Sequence, residues 1–145
     1  MIVFRFPPDP IVLVNRLVGL PGDHLHISDA VVILNSRRIA EAYVQHLAGS
    51  NASAFFSNFP FYADTLQLIV PVARKVLERY ATSCELIIPE GGYFVLGDKR
   101  EYSYDSRSWG LVRPSQIIGL AQEIVSSEDP NTTICRAHPI HLPIE

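Results

Sequence analysis

Two stretches of the chain concentrate side chains that could do chemistry. One is Asn15-Arg16-Leu17-Val18-Gly19-Leu20-Pro21-Gly22-Asp23; the other is Gly97-Asp98-Lys99-Arg100-Glu101-Tyr102-Ser103-Tyr104-Asp105-Ser106-Arg107-Ser108-Trp109-Gly110. The second carries hydroxyls at Ser103 and Ser106, and nucleophilic attack by a serine needs a base beside it. No such base is identifiable next to either. The chain has two lysines, Lys75 and Lys99. Lys75 falls on a predicted helix and is expected to face water; Lys99 shares a loop with Ser103 but reads as a solvated turn lysine rather than a replacement base. Five histidines show no cysteine partners at zinc spacing, so no metal site is expected. His24 and His26 alternate with Leu25 and Ile27, which puts both imidazoles on the polar face of a strand. Cys84 and Cys135 are expected to be free thiols, partly buried.

The elements that must position these residues follow from composition and pattern. Across 145 residues, hydrophobic side chains make up 48% and charged ones 19%, enough apolar material for one core and too little charge for disorder. A net charge of -3 gives no electrostatic footprint for nucleic acid. No apolar run approaches the roughly 18 residues needed to span a bilayer. The opening Met1 to Pro10 is broken by Arg5, Asp9 and three prolines, unlike a signal peptide. Eight glycines and eleven prolines favour short strands over a helical bundle.

Strands are expected at residues 1–6 and 11–18, separated by the Pro7–Pro10 break. A turn at Gly19–Asp23 has two glycines able to take positive φ. A hairpin follows over His24–Ile27 and Ala30–Leu34 around Ser28-Asp29, then a turn at Asn35–Arg37 and a short strand at Arg38–Ile39. Gly49 to Asn58 reads as a surface insertion. Pro71 opens a helix with Ala73, Val76, Leu77 and Tyr80 on one face. Strands resume at Glu85–Ile88 and Tyr93–Leu96 around the Pro89–Gly92 turn, and the last runs from Ile117 to Val125. The expected organisation is one domain over 1–128, with an insertion at about 40–84 and a C-terminal tail over 129–145.

Together the two stretches resemble the signature segments of the type I signal peptidases, serine proteases that remove signal peptides from exported proteins. That family reads Lys-Arg-x-x-Gly-Leu-Pro-Gly-Asp in the first segment and Gly-Asp-Asn-Arg-Asp-Asn-Ser-x-Asp-Ser-Arg-x-Trp-Gly in the second. Phe4-Arg5-Phe6-Pro7 resembles the segment that precedes the first. The resemblance runs from Ile2 to about Val125 and implies a mostly β fold of coiled antiparallel sheets, a partial barrel with one short helical insertion. It implies a Ser–Lys dyad in which a desolvated lysine takes the serine proton. On this chain Ser103 matches the serine that orients the lysine, Asp105 and Arg107 match a loop-bracing ion pair, and Asp98 and Arg100 match neighbouring bracing positions. The substrate strand implied beside Ile11–Val14 would make Val12 and Val14 walls of a peptide groove. No cofactor is implied.

The departures bear on activity. Asn15 stands where the family has its general-base lysine, and a carboxamide has no titratable nitrogen. The family's Ser-Met-x-Pro nucleophile segment is not found in the chain. Lys99 replaces Asn, Glu101-Tyr102 replaces Asp-Asn, and Leu120 follows Gly119 where Lys is frequent. Two readings follow: a truncated signal peptidase that is inactive alone, or a pseudoprotease that keeps the peptide groove. Asn15 favours the second, since truncation cannot change an internal residue. Expected partners are extended signal-peptide-like segments of exported proteins, and an uncovered strand edge offers a route to a homodimer. The family's location is the extracytoplasmic face of the bacterial inner membrane. With no export signal or anchor read in the chain, a cytoplasmic location stands as the alternative.

Overall fold

The computed structural model describes residues 1–6, 11–44, 58–60 and 71–121. The Pro7–Pro10 break, nearly all of the 49–58 stretch, His46, residues 122–125 of the expected last strand and the tail with Cys135, His138 and His141 lie outside them.

The described residues form a mostly β structure of two four-stranded antiparallel sheets. The strands are β1 (Ile2–Phe6), β2 (Ile11–Gly19), β3 (His24–Ser28), β4 (Val31–Leu34), β5 (Arg37–Arg38), β6 (Leu86–Ile87), β7 (Phe94–Leu96) and β8 (Ile117–Leu120). Helix α1 (Pro71–Tyr80) lies between β5 and β6, and the one-turn helix α2 (Ser106–Trp109) between β7 and β8. The first sheet has the order β7-β2-β1-β8 and the second β5-β4-β3-β6.

The hairpins form where small residues, three of the four polar, take left-handed backbone. Asp29 and Ala30 join β3 to β4 with φ of 50° and 64°, one residue later than the pattern suggests. Asn35 and Ser36 do the same between β4 and β5, with φ of 51° and 63°. Two consecutive residues at positive φ are what a two-residue turn needs to match the twist of its strands. Gly22 sits in the β2–β3 turn at φ 86°, whereas Gly19 does not act as a turn glycine. It ends β2, and a Cβ there would collide with the Ile88 side chain, so its role is close packing.

Two cores result. Leu25, Ile27, Val32, Phe59, Ala73, Leu77, Leu86, Ile88, Phe94 and Leu96 form the larger. Ile2, Phe4, Val95, Trp109 and Val112 form the smaller, with Phe6, Leu13 and Leu17 packed against it. Strand β7 is the seam. Its side chains alternate, so Phe94 and Leu96 enter the larger core and Val95 the smaller, and all three are fully buried. Helix α1 adds Ala73 and Leu77 to the larger core, the stripe its spacing predicts. Helix α2 and the 3-10 turn Pro114–Gln116 form where the sequence pattern gives no helix. One expectation is corrected: Cys84 is exposed rather than partly buried.

Because β7 ties the cores together, truncating it should cost far more than truncating a helix surface. Phe94→Ala is expected to lower unfolding free energy by about 3–5 kcal/mol, and Val72→Ala on the exposed face of α1 by less than about 0.5 kcal/mol. Urea denaturation followed by tryptophan fluorescence reads both.

Candidate functional site

The side of the sheet on which position 15 falls is set by pairing. In the β1–β2 ladder Ile2 lies opposite Asn15, Phe4 opposite Leu13 and Phe6 opposite Ile11. Residues directly opposite one another share a face, so Asn15 points the same way as Leu13 and Leu17, into the smaller core. It is 9% exposed. Its Nδ2 is closed off from solvent and finds no hydrogen-bond partner among the described residues. An orphaned amide in an apolar setting costs folding free energy. A lysine in the same place would lose hydration and be driven toward its neutral form.

Ser103 packs over a glycine just past the end of β7. Arg16 pairs with Leu96 and Leu17 with Val95, and the pairing with β2 stops there, so Gly97 opens the loop. A Cβ on Gly97 would overlap the Ser103 side chain. The missing side chain at 97 is therefore the space that Ser103 fills. The Ser103 hydroxyl donates to the Lys99 carbonyl at 2.7 Å, closing the turn rather than contacting Asn15. Lys99 itself is exposed.

The loop is held by ion pairs. Asp105 and Arg107 are 0% and 1% exposed at their side chains. Arg107 Nε donates to Asp105 Oδ1 at 2.8 Å and Nη2 to Oδ2 at 2.7 Å. Asp105 also caps α2 by accepting from the Arg107 backbone N–H, and it accepts from the Gly97 N–H. Ser106 Oγ accepts from the Val95 N–H at 2.9 Å, a buried bond that ties α2 to β7. Trp109 packs against Phe4 and Phe6 beneath the loop.

Asp98 pairs with β2 rather than with its own loop. Arg16 Nε and Nη2 donate to its two oxygens at 2.8 and 2.7 Å. This bidentate bond, set against partial desolvation, pushes the Arg16 pKa further above its ordinary value. The Arg16 guanidinium also stacks on the Tyr43 ring at 3.5 Å. Burial first, and the nearby Glu41 carboxylate second, push the Tyr43 phenol up. Arg100, 4% exposed, donates from Nε to the Gly97 carbonyl at 3.0 Å and pairs through its other nitrogens with Glu41. Nothing in the sequence singles out Glu41 or Tyr43.

Val12 and Val14 occupy the other face of β2, opposite Arg5 and Val3, and are 52% and 45% exposed. They are not brought together with Asn15. What they share with it is the strand itself. Residues 11–14 pair with β1 on one side, while β7 joins the other side only from Arg16 onward. Half of the backbone groups of this segment therefore point to a sheet edge that no described strand pairs with. Among the described residues no group of side chains could hold a metal ion, and no helix is long and apolar enough to cross a membrane.

Residues 1–126 match the family described as signal peptidase, peptidase S26. Signal peptidase I V of Bacillus subtilis is 32% identical over 120 residues, covering 80% of this chain and 59% of that protein. Signal peptidase I of Rickettsia typhi is 32% identical over 133 residues, covering 86% of this chain and 50% of that protein. The chain thus spans about half the length of the curated relatives it matches. A crystal structure of a signal peptidase I from Enterococcus faecalis superposes with a TM-score of 0.54 at 27% identity, covering 83% of this chain and 92% of that one.

The orphaned amide at position 15 yields a direct expectation. Asn15→Val removes the unsatisfied donor and suits a strand, so it should raise unfolding free energy by about 1–2 kcal/mol in urea. A loss of stability on this substitution would mean that the carboxamide has a partner in solution.

Proposed function

The chain belongs to the signal peptidase family, peptidase S26, and from that premise we propose that it binds extended, signal-peptide-like segments without cleaving them. The observation that carries this reading is Asn15, buried at the end of a strand segment, 11–14, whose second edge no described strand pairs with. The surroundings would desolvate a lysine, but the residue present cannot accept a proton at neutral pH. Peptide cleavage by a Ser–Lys dyad needs that proton removed, so the family chemistry stops here. Binding does not depend on it. An extended peptide gains affinity from backbone pairing along Ile11–Val14, and the half-exposed Val12 and Val14 offer shallow apolar contacts suited to small side chains such as Ala. By the family role, such peptides belong to exported proteins and would be met at the extracytoplasmic face of the inner membrane. The same edge could take a second copy of the chain in place of a peptide.

The test uses a fluorescein-labelled dodecapeptide containing Ala-Gln-Ala. Fluorescence polarisation should show saturable binding, and mass spectrometry should show the peptide intact after a day with the chain. N-methylation at alternate residues should weaken binding at least tenfold in one of the two phases and leave it nearly unchanged in the other, as single-edge pairing requires. Cleavage abolished by Lys99→Ala would overturn the reading in favour of a relocated base. Absence of binding would overturn it outright. Dimerisation that the peptide reverses would show that the edge also takes a second copy.

A further inference from the structure

We propose that Glu41 and Tyr43 form a latch that holds the 97–105 loop, and with it Ser103, against β2. Glu41 and Tyr43 lie in the 41–44 segment that follows β5, in no strand or helix, and outside both signature stretches. Yet they close a ring of contacts around the loop. Arg16 of β2 grips Asp98, and the loop continues from Asp98 to Arg100. Arg100 pairs with Glu41, Glu41 accepts from the Tyr43 hydroxyl at 3.2 Å, and the Tyr43 ring stacks on Arg16.

Arg100 is the vulnerable member. Its backbone carbonyl is held from below by Arg107 Nη2 at 2.7 Å, and its side chain turns back over the Gly97 carbonyl. Its guanidinium is 5% exposed, and Glu41 is the carboxylate paired with it among the described residues. A buried guanidinium without its anion is strongly unfavourable. The simplest relief is to carry Arg100 out to water, which means swinging the turn between Gly97 and Ser103. Two of the bonds that close that turn are the Tyr102 N–H and the Ser103 hydroxyl, both given to the Lys99 carbonyl. Glu41 and Tyr43 are therefore positioning residues: they act through the loop, on how it sits against β2. The consequence for peptide binding rests on the reading proposed above; the latch does not.

Hydrogen exchange tests it on the full chain. In Glu41→Ala, the Gly97 and Tyr102 amides should exchange at least tenfold faster, while the β3 and β4 amides keep their rates. Adding Arg100→Met removes the stranded charge and should return the loop amides to within threefold of the unsubstituted chain. If Glu41→Ala does not fold, Glu41→Gln, which keeps the shape and loses the charge, is read by the same criteria. The proposal is overturned if the loop amides do not respond, if β3 and β4 accelerate equally, or if Arg100→Met fails to restore protection. A second arm measures affinity for the labelled Ala-Gln-Ala dodecapeptide. Glu41→Ala should weaken it at least tenfold, and Val32→Ala, a destabilising change in the larger core, should not. No binding by the unsubstituted chain would overturn the peptide reading alone, and the exchange arm would still decide the latch.

Discussion

The arrangement around position 15 depends on one buried ion pair, Arg107 with Asp105. Taking both charges out of water is costly unless every donor and acceptor is matched, and here the matching reaches well beyond the pair. Asp105 caps helix α2 and accepts from the Gly97 N–H at the end of β7. Arg107 donates to the Arg100 carbonyl. The pair thus fixes both ends of the loop between β7 and α2 relative to each other. Ser106 ties the start of α2 to Val95. Only on that platform can the outer pairs, Arg16 with Asp98 and Arg100 with Glu41, set where the loop tip lies.

Strand alternation then gives the site its character. Asn15 and Arg16 are adjacent in the chain but point to opposite faces of β2. Arg16 meets the charged ring of Asp98 and Tyr43, while Asn15 meets the smaller core. One residue along a strand separates a half-buried, ion-paired guanidinium from an apolar setting. That is the setting in which a lysine would lose its proton, and it remains in place around a residue with none to exchange. The fold is that of the signal peptidase family, and the residue that strand alternation turns toward the smaller core at position 15 is a carboxamide.

Much of the fold was legible in the residues. The alternation in β1 to β4, the spacing of α1 and the glycine-rich turns rest on local rules, and the structure follows them to within a residue or two. The exceptions have a common cause. Gly19 reads as a turn glycine but is needed for the approach of Ile88. Helix α2 exists because Asp105 caps it and Ser106 anchors it to β7, bonds that no periodicity in a four-residue segment announces. Cys84 sits in an exposed turn that closes on Thr82 rather than in a core.

The sequence by itself determined the family, the strand pattern and the identity of the residue at position 15, because these depend on residue type and near-neighbour spacing. It also determined that this residue cannot take a proton, a property of the carboxamide alone. Only the tertiary structure decided which way Asn15 faces, that Gly97 makes room for Ser103, and that Asp98 reaches to Arg16 while Arg100 reaches to Glu41. Those pairings join positions 59 and 82 residues apart. They are settled by strand register and by the need of each buried charge for a counter-charge, and neither can be read from residues taken one segment at a time.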